Sequence, residues 1–199
     1  MSLRKPISRI LLAGVAAALA WSHAWAQEKH AGPSPDRLDR LRAAAESGSP
    51  EAALKLGAAL LDSPSETHWG EAIVWLEKAA RQGAPVTLLI ADSYRMGHGV
   101  ARDLETAIEW YRLGAESGDP IAQLEFGLML LDGEGVERDM VRAILFLRLA
   151  DAALTDPDHR RAAEQALERA QWWTSSEDLK KAEALLDSWT PKTLPELLN

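Results

Sequence analysis

Between residues 37 and 153 the apolar positions follow a helical period, and the pattern recurs. Leu104, Ala107, Ile108 and Tyr111 stand three and four residues apart, and Ile73, Leu76 and Ala80 do the same one unit earlier. That spacing collects them on one stripe of an α-helix, with polar residues left for solvent. Other markers keep the same beat. Gly48-Ser49-Pro50, Gly83-Ala84-Pro85 and Gly118-Asp119-Pro120 recur at intervals of 35 residues. Ala72, Ala107 and Ala143, and also Trp75, Trp110 and Phe146, follow at 35 and 36. Gly97-His98-Gly99-Val100 returns 36 residues later as Gly133-Glu134-Gly135-Val136. Several independent markers on one period predict stacked copies of one supersecondary unit.

Each unit reads as two helices. A proline opens the first helix, at a position where a missing N–H costs nothing. Ser49 and Asp119 precede it as side-chain caps, whereas Ala84 is a poor cap ahead of Pro85. Asp103 and Asp139 stand where they would cap the second helix. The preceding glycines end the earlier helix, and the Gly-x-Gly-Val loop reverses the chain, with Val100 and Val136 expected to tuck between the two helices. The Gly133-Glu134-Gly135 run looks like the start of a phosphate-cradling loop. That loop needs a preceding strand and a third glycine; here a helix precedes it and position 138 is Arg138. The motif occurs twice with unrelated central residues, His98 and Glu134, so a structural turn is expected.

These residues resemble the Sel-1-like repeat family, relatives of the tetratricopeptide repeats. The unit from Leu89 to Gly127 carries the marks: Tyr94, the Gly97-x-Gly99-Val100 loop, Asp103, Ala107, Trp110-Tyr111, Gly118 and Ala122. The resemblance covers roughly Leu41 to Ala153. The first unit departs from it, replacing the loop with LDSPSETHWG (Leu61 to Gly70), and the third ends without a glycine. Terminal units of solenoids are often irregular because they face water or a cap. The expected fold is all-α: a short right-handed α-solenoid of stacked helix-turn-helix repeats with C-terminal capping helices. Asp156-Pro157 starts one capping helix that runs to about Trp173, and Thr174-Ser175 starts another that closes at Trp189. The expected divisions are repeats over 37–153, a capping pair over 154–189 and a tail over 190–199.

The N-terminus alters the picture of location. Arg4, Lys5 and Arg9 precede a 12-residue apolar run, Ile10 to Trp21, and then Ala24-Trp25-Ala26. This is the layout of a secretory signal peptide, residues 1–26, cleaved after Ala26 and followed by a flexible start over 27–36. The run is short against the roughly 20 residues that span a bilayer, so no membrane insertion is expected after cleavage. The location expected is periplasmic or secreted, and the signal style is bacterial. The signal holds three of the 22 basic residues and none of the 30 acidic ones, which leaves the mature chain near −11. Such a charge repels nucleic acid. There is no cysteine, so no disulfide supports the fold.

Catalytic motifs are missing. His30, His68, His98 and His159 are far apart, and none pairs at the spacing of a helical zinc site. There is no Gly-x-Ser-x-Gly elbow, and the mature chain has no Ser-x-x-Lys. Glu71, Glu105, Glu109 and Glu116 are placed on exposed helix faces or ends. No cofactor and no enzymatic activity are expected. A cell-wall or β-lactam hydrolase, which a cysteine-rich secreted branch of the resembled family brings to mind, is the disfavoured alternative. Trp75 and Trp110 recur with the period and are expected in the core. Trp69, Trp172, Trp173 and Trp189 do not recur; each either packs under the cap or stands exposed as an anchor for a partner. Trp172 and Trp173, about 100° apart on a helix, cannot both face the core.

The resemblance implies a concave surface lined by the first helix of each unit and used to bind peptides or protein segments. By its groove positions the lining includes Asp62, Asp92, Arg95, Leu124, Leu128, Leu131 and Asp132. The three leucines fit core positions equally well, and both readings stand at this point. The expected function is a periplasmic protein–protein interaction module or scaffold. Its partner would be another protein or peptide, most naturally an envelope protein, with a basic or amphipathic segment suited to the acidic balance. A purely structural subunit of an assembly is a further possibility, and the oligomeric state is not legible.

Overall fold

A computed structural model describes residues 32–199. The expected signal peptide, the mature start up to residue 31 and His30 lie outside the described residues.

Among the described residues there are ten helices and no strand. In chain order they are α1 (Pro35–Glu46), α2 (Pro50–Leu61), α3 (Glu66–Arg81), α4 (Thr87–Met96), α5 (Leu104–Glu116), α6 (Pro120–Asp132), α7 (Met140–Ala153), α8 (Pro157–Trp173), α9 (Ser176–Ser188) and α10 (Leu194–Leu197). They form the right-handed α-solenoid. The hairpins α2–α3, α4–α5 and α6–α7 pack antiparallel, each stacks on the next, and α8 and α9 close the end against α7.

The caps follow the local chemistry. Ser49, Asp103, Asp119 and Asp139 each accept a hydrogen bond from a first-turn N–H, and so do Asp156 and Ser175 on the capping pair. Ala84 cannot do this, and α4 pays for it. Pro85 was expected to open that helix, yet the first helical residue is Thr87, after a non-helical Val86 (φ −121°, ψ 1°) with no side-chain cap. Burial of Val86 and Thr87 in the core fixes the irregular entry instead. The first helix α1 starts at Pro35, inside the stretch expected to be flexible.

Two apolar clusters fill the interior. One runs from Leu38 to Ile90 and the other from Ala91 to Ala182, and Tyr94 and Trp110 touch both. The boundary between them falls within α4. Trp75 and Trp110 are half-buried at the cluster margins rather than inside. Trp75 keeps an edge outward, where its indole donates to Glu71 and Lys78 lies 4.8 Å from its ring. Helix α6 is apolar nearly all round because it is covered on both sides, by α5 and α7, and touches α8; a helix so enclosed needs no polar face.

The tail folds back. Lys192 N donates to the Glu116 carbonyl (3.0 Å), Leu194 is buried, and α10 rests on α3 and α5. Leu198 reaches the N-terminal cluster. The last residues thus strap the end of the chain across earlier corners of the solenoid.

Candidate functional site

The first helices of successive units, α4, α6 and α8, lie side by side, the arrangement that gives a solenoid its inner face. On α4, Asp92 is exposed and held from two sides. The Tyr111 hydroxyl, brought by α5, donates to Asp92 Oδ1 at 2.5 Å. Arg95, one turn along α4, donates from its terminal nitrogen to the same oxygen (2.9 Å) and from Nε to the Tyr111 hydroxyl (2.9 Å). Burial raises the Tyr111 phenol well above its ordinary range, and its bond to Asp92 adds to that. The hydroxyl is therefore a fixed donor rather than a base. Sequence reading placed Tyr111 in an apolar stripe and missed this role; the available signal was a tyrosine at a buried position, since such a hydroxyl needs a partner.

Glu125 on α6 was also missed. It is the one carboxylate between Pro120 and Leu131, a stretch otherwise apolar but for Gln123. It is half-buried, and Arg95, Asp92, His159 and Glu134 act on it electrostatically. Desolvation raises its carboxyl above the usual range; Arg95 opposes this and Asp92 reinforces it. An acid whose folded pKa lies above its unfolded one is penalised when ionised, so its contribution to stability falls as pH rises from the ordinary carboxylate range through the folded pKa. Glu125→Gln is accordingly expected to raise the melting temperature at pH 7–8, with the gain vanishing towards pH 4. Calorimetry of the two proteins at both pH values checks it.

The seven residues expected on the groove divide. Asp92 and Arg95 come together as described, and Leu128, half-buried on α6, leaves part of its side chain accessible. Leu124 and Leu131 are 2% and 4% exposed. Both are core positions rather than inner-face ones, because α6 is covered where they point, and the small exposed remainder of Leu131 lies at the loop edge. Asp62 is exposed at the C-cap of α2 and shares no hydrogen bond or ion pair with the Asp92 group. Asp132, at the end of α6, pairs with Arg169 of α8 (3.2 Å) and belongs to the loop edge.

Two acids expected on free surfaces serve as braces. Glu71 accepts from Nε and one terminal nitrogen of Arg42 (3.0 and 3.1 Å), joining α1 to α3, and Arg42 holds its carboxyl below the usual range. Glu116 is paired with Arg112 and faces Lys192 of the tail. Glu105 and Glu109 are exposed as expected. His68 bonds to Ser63 and His159 to Asp156, while His98 lies against Trp69 (centroids 5.0 Å). Trp69 also donates to the Ser63 carbonyl. Among the described residues no group of three or more His, Asp or Glu side chains could hold a metal ion.

Stacked hairpins presenting polar and apolar side chains on an open inner face define a helical-repeat scaffold of the interaction type. Residues 70–83, 88–119 and 120–150 match the Sel1 repeat profile. The chain belongs to the Sel1 repeat family. Its structure is similar to that of a Sel1 repeat protein from Oxalobacter formigenes (TM-score 0.55, 31% identity, 64% of this chain and 97% of that one). It is also similar to c5321, a protective antigen present in uropathogenic Escherichia coli strains displaying an SLR fold (TM-score 0.65, 28% identity, 80% and 33%). In sequence it is 32% identical over 127 residues to an uncharacterized protein of Neisseria meningitidis serogroup B, covering 64% of this chain and 26% of the relative. The chain thus spans about a quarter of that relative and a third of the antigen. Sel1 repeats generally mediate protein–protein interaction, and the fold is typically a non-catalytic scaffold.

Proposed function

We propose that this protein is an exported, periplasmic binding module whose inner face takes a basic or amphipathic segment of an envelope protein. What carries the reading is the pairing of carboxylates with an accessible leucine: Asp92, pre-positioned by Tyr111 and Arg95, and Glu125 stand near Leu128 on adjoining helices. Side chains already fixed in the free protein lose little entropy on binding. The acidic balance of the chain favours encounter with a positive ligand. The signal-peptide layout of residues 1–26 supports export, and a mature N-terminus at Gln27, read by mass spectrometry of a periplasmic fraction, is the outcome that agrees with it.

The test of the face is an immobilised mature chain probed with arrays of 15-residue peptides, basic and amphipathic against acidic and scrambled. The basic amphipathic set is expected to be retained at low salt and weakened at least about tenfold by 0.5 M salt. Arg95→Gln, which leaves Asp92 held by Tyr111 but removes the guanidinium that competes for it, is expected to strengthen retention, and Asp92→Lys or Leu128→Asp to abolish it, all with unchanged circular dichroism. Indifference to all three substitutions would move the site off this face.

A further inference from the structure

Helix α8 ends in Trp172 and Trp173, which are 88% and 76% exposed. The helix does not need them there. Its inward stripe is Ala163, Ala166 and Ala170 and continues to Thr174, whose hydroxyl donates to the Ala170 carbonyl (2.6 Å). Trp172 instead extends the solvent stripe of Gln165, Glu168 and Arg169, one helical turn beyond the last two. Neither indole N–H has an acceptor among the described residues, although buried or structural tryptophans usually find one.

Trp173 forms one wall of a cleft of about 280 Å³, with Leu131, Asp132, Arg138, Met140 and Arg169 as the rest of its lining. Arg169 is paired with Asp132. Among the described residues the Arg138 side chain donates only to the Asp132 carbonyl, at 3.4 Å, and no carboxylate pairs with it. Two guanidiniums therefore face one carboxylate, on a chain whose net charge is −8. Tryptophan, methionine and arginine are the side chains enriched at the centre of protein interfaces, and here they share one cleft.

We propose that this cleft and the tryptophan ridge beside it dock a segment of another protein that presents an aromatic or aliphatic side chain next to a carboxylate. The carboxylate meets Arg138, where a planar guanidinium can bind both its oxygens. The apolar side chain lies between Trp173 and Met140. The surface is on the α6–α7 loop edge and does not depend on the inner-face reading above.

The test is nitrogen-15 NMR of the mature chain, with the two indole signals assigned through Trp172→Phe and Trp173→Phe. The probes are two capped pentapeptides, GFDLG and GFKLG. GFDLG is expected to shift the Trp173 indole and the Arg138 amide saturably, with a dissociation constant on the order of 1 mM, and GFKLG to bind at least about tenfold more weakly. Arg138→Glu, on an exposed loop, is expected to remove that preference while leaving the rest of the spectrum in place. Equal response to both peptides, or none up to about 10 mM, overturns the proposal. So do indole shifts that change on dilution without peptide, which would make a second copy the occupant. Shifts that follow deletion of residues 27–31, which would make it the chain's own N-terminal segment, overturn it as well.

Discussion

Gly99→Ala is expected to destabilise the protein by about 3–5 kcal/mol, the sum of left-handed backbone strain and an overpacked contact. Gly99 has φ +75°, and a Cβ there would stand 2.2 Å from the Trp69 carbonyl carbon and 2.5 Å from the Gly70 nitrogen. Backbone cannot swing aside as a side-chain end can. The loop that closes one hairpin is pressed against the start of α3 in the preceding unit, so the substitution pries two units apart. A loss of this size is a large part of the roughly 5–15 kcal/mol that holds a domain together. Urea denaturation followed by circular dichroism measures it. The internal control is Gly135→Ala, at the equivalent place one unit later, with φ +71°. There the close atom is Ile108 Cδ1 at 2.5 Å, the flexible end of a side chain, and a loss of about 1–2 kcal/mol is expected. Equal losses at the two positions would contradict the packing described.

Phe126→Ala is the second large effect, expected at about 3–5 kcal/mol. Phe126 is buried in the C-terminal cluster, meets Phe146 edge-on (5.4 Å between centroids) and carries the Arg142 guanidinium 5.5 Å from its ring. Truncation removes the apolar area, leaves a cavity between α6 and α7, and strips Arg142 of one aromatic face. At about 2–4 °C per kcal/mol for a chain of this size, the melting point drops by roughly 10 °C. Units of a solenoid are stabilised mainly by their neighbours, and the core divides within α4. The variant is therefore expected to melt in two steps, the C-terminal cluster first. Near-ultraviolet and far-ultraviolet circular dichroism that part company in the variant, and coincide in the wild type, would record it.

The helices were legible because their causes are local. Proline and a capping side chain mark the start of α2 and α6, and the period of small and aromatic residues marks each buried stripe. Where the local cause fails, so did the reading: Ala84 cannot cap, and α4 begins two residues after Pro85. The site was legible only in part. Asp92 and Arg95 lie on one helix face, so spacing could pair them, but Tyr111 comes from the next helix and its hydroxyl contact has no trace in the spacing. Leu124 and Leu131 looked available because a single helix cannot show how many neighbours cover it.

By itself the sequence determined that this chain is a helical repeat protein, how long the unit is and where the helices turn, since caps, prolines and periodic apolar stripes act over a few residues. Only the tertiary structure decided which residues of the same kind are free. Gly99 is wedged against backbone where Gly135 meets a yielding methyl, Leu131 is almost wholly buried where Leu128 is half-buried, and Trp172 stands in water where Trp110 is half covered. Each of these depends on what a neighbouring unit brings within a few ångströms, and a repeating sequence repeats its own residues without repeating their neighbours.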